Sequence, residues 1–193
     1  VSYHSAAAKE DYVSVHGYGD PWQLIYVFDG NPDTNVVCEG YSKAFQYLCD
    51  LSSFRSDQIN CYTVTGTMNG GGHMWNIVRM EDGKNYLADV TNCDGTKGGT
   101  ISVGFPDKLF LAGVSGTVST GYLASLTTYY GSSREITYLY DTKIGSLYNT
   151  DVLTLSSENY TVPAATKNIT DSMVALLVDA KEYDGSETER TAL

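Results

Sequence analysis

The stretch Gly70–Thr91, "GGGHMWNIVRMEDGKNYLADVT", holds two alternating apolar runs on either side of Glu81-Asp82-Gly83. Alternation of this kind marks half-buried strands, and an acidic pair followed by glycine between them reads as a hairpin. Side chains two apart share a face of a strand. His73, Trp75, Ile77 and Arg79 therefore point one way, and Met74, Asn76 and Val78 the other. If the loop is Glu81-Asp82-Gly83, a type I turn closed by Gly83 in the left-handed conformation, Met80 pairs with Lys84. Trp75 then faces Asp89, and Asp89 lies one diagonal step from His73. A two-residue loop would send Asp89 to the opposite face, so this loop decides whether the histidine meets the carboxylate.

Upstream, Cys38, Tyr41, Ala44, Phe45, Leu48 and Cys49 recur at helical spacing. Asp33, Thr34 and Asn35 stand ahead of them as candidate caps, which places Cys38 in or beside the first turn. Asn60–Thr67, His73–Met80 and Asn85–Thr91 read as three strands of an antiparallel meander. Further runs at Lys108–Ala112, Glu135–Tyr140 and Asp151–Leu155 read as short strands or edges, and Trp22–Phe28 as a short helix or strand. The expected fold class is α+β, with one helix packed on an antiparallel sheet.

The chain has 193 residues, 42% hydrophobic and 18% charged, which suits one main folded domain rather than a disordered segment. Twelve basic against 23 acidic residues leave a formal charge of -11, a field that repels nucleic acid and anionic membranes. The longest apolar run, Met173–Val178, is too short to span a bilayer. No initiator methionine or signal segment opens the chain, which reads as a piece of a longer precursor. Cys38, Cys49, Cys61 and Cys93 lack the paired spacing of a zinc site, so no metal or other cofactor is expected. Pairing among Cys49, Cys61 and Cys93 is open in an oxidising compartment.

A cysteine at a helix start lies where unpaired N–H groups and the helix dipole favour a thiolate. A thiolate nucleophile needs a base, usually histidine, and the base needs a third group to hold its ring. Of His4, His16 and His73, only His73 starts a strand that fixes its direction. The pattern points to Cys38, His73 and Asp89 as nucleophile, base and orienter. The plain alternatives are a buried small apolar cysteine, a structural histidine and a turn-forming aspartate.

These blocks, "VVCEGYSKAFQYLC", "GGGHMWNIVRM" and "KNYLADVTNCDG", resemble the three core motifs of the transglutaminase-like superfamily over roughly Val36–Gly95. The resemblance implies a papain-like core occupying about residues 1–162. It also implies thiol-dependent acyl transfer on peptide or protein carboxamides, ending in hydrolysis or transamidation, in a secreted or surface-anchored bacterial protein. Trp22 and Tyr26 lie upstream where relatives place an oxyanion donor. Trp75 is a candidate for the groove wall or for core filling behind the site, the commoner fate of such a residue, and Gly72 for the groove entrance. Gly70, Gly71 and Gly72 are expected either to allow close backbone approach and positive φ there or to form a plain hairpin tip. Relatives often carry an aromatic after D-x-T, whereas this chain has Asn92 there. No acidic calcium loops are present in the sequence, so calcium dependence is not expected.

At the other end, "AKEYDGSETE" resembles the opening of YDG-type immunoglobulin-like repeats, which makes 163–193 a linker or the start of a following repeat. Two other classes stand beside the enzyme reading. One is an inactive binding or architectural module on the same fold, and the other a thiol used for covalent adhesion to amines.

Overall fold

The computed structural model describes residues 3, 22–31, 34–54, 57–93, 109–117, 121–127 and 133–162. The elements run α1 (Trp22–Phe28), α2 (Cys38–Leu51), β1 (Asn60–Met68), β2 (Gly71–Arg79), β3 (Asn85–Ala88), α3 (Val90–Cys93), β4 (Phe110–Ala112), β5 (Ser115–Thr117), β6 (Gly121–Thr127), β7 (Ser133–Tyr140), α4 (Ile144–Leu147) and α5 (Thr150–Leu153). The strands form one sheet in the order β4-β3-β2-β1-β7-β6-β5, and every pairing is antiparallel. The fold class is α+β.

The hairpin between β2 and β3 has the three-residue loop. The Met80 N–H donates to the Lys84 carbonyl at 3.0 Å, the Gly83 N–H to the Met80 carbonyl at 3.0 Å, and Gly83 has φ +76. Arg79 pairs with Asn85 and Ile77 with Leu87, so the faces alternate as the sequence predicts. Trp75 and Ile77 enter the main core with Val64, Leu87, Ile136, Tyr138 and Leu153. Val78 joins Cys61 and Ala88 in a smaller cluster, against which Phe45 and Cys49 of α2 pack.

Polar contacts fix α2 to this second face. Ser42 Oγ donates to the Met74 carbonyl at 2.9 Å, and Asn76 Nδ2 donates to the Ser42 carbonyl at 3.0 Å and to Thr63 Oγ1 at 3.2 Å. Thr63 Oγ1 in turn donates to Gln46 Oε1. Ser42 and Asn76 are wholly buried, so the bond between them has no water to compete with it. Gly40 serves the same docking, because a Cβ there would stand 2.6 Å from that of Val36, which packs on the first turn.

Several expectations are corrected. The N-cap of α2 is Val37, with no side-chain cap. The Thr34 N–H instead donates to the Asn31 carbonyl in a preceding turn, and Asp33 lies outside the described residues. The strand expected to reach Thr91 stops at Ala88, because the Asp89 carbonyl and carboxylate both accept from the Asn92 N–H and start α3. The run Asp151–Leu155 is not a strand, since Asn149 caps α5 through its side chain. Lys108 and the proposed linker 163–193 lie outside the described residues.

The three glycines divide. Met68 pairs with Gly71 across a two-residue loop in which Asn69 and Gly70 have φ 51 and 84, the left-handed pair a tight hairpin requires. Gly71 and Gly72 are ordinary strand residues, and a Cβ at Gly72 would meet open space, so close approach is not the reason for Gly72. Gly70→Ala should cost about 1 kcal/mol in urea unfolding, while Gly72→Ala should change stability by less than about 0.5 kcal/mol. Equal losses at both positions would contradict this division.

Candidate active site

Asp89 directly follows β3, with no exposed side-chain surface. A buried carboxylate is tolerated only when donors surround it. His73 Nε2 donates to Oδ2 at 2.8 Å, Tyr138 Oη to the same oxygen at 2.8 Å, and Asn92 Nδ2 to it at 2.7 Å. The Asn92 N–H reaches Oδ1 at 3.2 Å. These partners hold Asp89 below the ordinary carboxylate range although burial pushes the other way.

His73 stands near the start of β2 with 7% of its side chain exposed. Its ring lies almost parallel to that of Trp75, centroids 6.1 Å apart. Burial alone would discharge the imidazole, but the Asp89 carboxylate and then the hydrogen-bonded Cys38 outweigh it and raise the pKa to about 10. Because Nε2 is committed to Asp89, Nδ1 is the nitrogen left available to the thiol. The helix arrives there by simple geometry. Ser42 is bonded to Met74, next to His73, and Cys38 lies one turn earlier in α2.

The structure therefore brings Cys38, His73 and Asp89 together. It places the other sequence candidates differently. Trp75 is 1% exposed and packs on Tyr138 and Tyr140, centroids 5.2 and 5.8 Å away, so it is core and not a groove wall. Trp22 is 56% exposed and Tyr26 half-buried on α1. The α1 side chain that reaches the start of α2 is Gln23, buried, whose Oε1 accepts from the Val37 N–H at 3.0 Å. Gly72 is exposed beside His73. His4 and His16 lie outside the described residues.

Three residues of this neighbourhood are missing from the sequence reading, Gln23, Tyr138 and Tyr3, and a fourth, Asn92, was given no role there. Tyr3 forms an isolated parallel bridge with Val36, and its ring lies 6.5 Å from that of Tyr41. Burial first, then the negative charges of Cys38 and Asp89, push its hydroxyl up to about 12. Asn92 had one signal, its place after D-V-T, where an uncommon residue stands. Among the described residues no group of three or more His, Cys, Asp or Glu side chains is placed to hold a metal ion. Comparison with protein-family models, curated proteins and solved structures finds no match to this chain.

Two outcomes follow from this wiring. A hydrogen bond to a charged acceptor contributes about 1.5–3 kcal/mol, so Tyr138→Phe should lower unfolding stability by that amount in urea titration. An unchanged midpoint would remove Tyr138 from the support of Asp89. The second concerns pH. The raised pKa of His73 means its contribution is fully present below its unfolded value of about 6.5. That contribution is lost as pH rises through about 10. Asp89, lowered, contributes above its unfolded value and loses this as the pH falls through its depressed one. The stability gap between the wild type and His73→Asn should narrow from roughly pH 6.5 to 10, as unfolding midpoints would report. A gap that widens over that window would reverse the assignment.

Proposed function

We propose that this chain carries a papain-like, transglutaminase-like core. On this reading it is a cysteine enzyme of acyl transfer, acting on peptide or protein carboxamides outside a bacterial cell or at its surface. The observation that carries the reading is the chain of contacts from buried Asp89 to His73 Nε2, which leaves the other ring nitrogen to Cys38 at a helix start. The three motif blocks and their order support it. The acidic charge and the composition, rich in tyrosine and glycine, agree with an extracellular setting.

The chemistry follows from the roles. With His73 protonated, the pair reacts as thiolate and imidazolium, the proton on Nδ1 having come from the thiol. The Cys38 sulfur attacks the carboxamide carbon, and the oxyanion accepts from the Cys38 N–H, which the side-chain-free cap at Val37 leaves available. Nδ1 then gives its proton to the departing ammonia or amine. In the second half, water or an amine attacks the thioester, His73 takes its proton, and the thiol is restored. Asp89 stays ionised throughout and holds the ring.

Alkylation of Cys38, followed by peptide mass mapping from roughly pH 4 to 10, tests the activated thiol. Cys38 should be alkylated faster than a free cysteine thiol, and His73→Ala should remove that excess reactivity. Ammonia release or amine incorporation on glutamine peptides should fall at least about 100-fold in the same variant. A Cys38 that reacts like an ordinary thiol with His73 present would sink the enzyme and leave a binding module on this fold.

A further inference from the structure

A second thiol pair lies at the far end of α2. The Cys49 and Cys61 side chains pack in one small cluster, one on the last turn of the helix and the other at the start of β1. They share the small cluster between α2 and the sheet, with Cys61 6% exposed beneath Val78 and Ala88, and Cys49 half-buried on its rim. A disulfide needs Cβ atoms roughly 3.5–4.5 Å apart, a separation open to two cysteines packed in one small cluster.

We propose that Cys49 and Cys61 form a disulfide that staples the nucleophile-bearing helix to the sheet. This goes beyond the acyl-transfer reading and does not depend on it. The two thiols have unequal roles. The hydrogen bond from Cys61 favours the Cys49 thiolate, against the opposing effects of burial and Asp50. Cys61 holds its proton tightly, through that same bond, its burial and the nearby negative charges. Cys49, the more accessible, therefore attacks first.

The oxidant is a disulfide, as supplied by oxidised glutathione or a thiol oxidoreductase. The Cys49 thiolate attacks one of its sulfurs, forming a mixed disulfide and expelling a thiolate. Cys61 then loses its proton, attacks the Cys49 sulfur and expels the second thiolate. The protein has given up two electrons and two protons, and the oxidant has become two thiols. The bond closes a loop of about a dozen residues, and its effect on stability comes mainly from restricting the unfolded chain.

The whole chain, first reduced, should be exposed to oxidised glutathione, blocked with N-ethylmaleimide and digested without reductant. The expected result is a linked Cys49–Cys61 peptide lighter than its two reduced halves by two hydrogens, with Cys38 outside it. The oxidised protein should melt about 5 °C above the reduced one, and Cys49→Ser should remove both signals. The reduced melting temperature of Cys49→Ser checks that this half-exposed site tolerates the change, and Cys61→Ala repeats the test from the other side. Mixed glutathione adducts on Cys49 that never resolve, maleimide on both residues, or links to Cys93 instead would overturn the staple. Ammonia release plays no part in these readouts, so failure here is distinct from failure of the enzyme reading.

Discussion

A carboxylate without solvent sets the terms for this molecule. Asp89 is ionised at the end of a buried strand, and stranding such a charge without partners costs several kcal/mol. Every element around it can be understood as supplying a donor. The three-residue loop sets the register that brings His73 alongside, the β1–β7 pairing carries Tyr138 in, and α3 folds back so that Asn92 donates twice. The imidazolium is thus both a partner that the charge needs and the group that meets the thiol.

The helix is held by a different kind of force. Apolar packing alone lets a helix slide and turn by small amounts, but the bonds among Ser42, Met74, Asn76, Thr63 and Gln46 are directional, and the one between Asn76 and Ser42 is sealed from water. They fix the height of α2 against β2, and with it the distance from sulfur to ring. The same helix presents its first-turn amides without a side-chain cap, the condition that an anion at that end would exploit.

What the sequence reveals here follows the range of the interactions. Alternation along β2, the glycine at Gly83 and the periodicity from Cys38 are local; they suffice to set the histidine beside the aspartate and the cysteine at a helix start, while the docking of that helix on the sheet is not local. Tyr138 is invisible because its position depends on pairing between strands far apart in the chain, where no turn sets the register. Gln23 is missed for a related reason: the larger aromatics beside it attract attention, yet the amide is the side chain that reaches the helix start. Trp75 shares the histidine's face as the alternation predicts, but alternation cannot say that Tyr138 and Tyr140 close over that face and bury it. Asn69-Gly70 is a hairpin dipeptide that the sequence reading passed over, and its turn explains the glycine that a groove reading assigned to a different need.

The two donors to Asp89 Oδ2 that lie on strands differ in how far along the chain they come from. His73 is 16 residues from Asp89 and Tyr138 is 49. On chain-closure entropy alone, bringing in the tyrosine costs about 1 kcal/mol more than bringing in the histidine. The histidine and aspartate are therefore joined by the shorter of the two closures, within one hairpin. The tyrosine comes with the longer-range part of the topology, the part on which folding speed most depends.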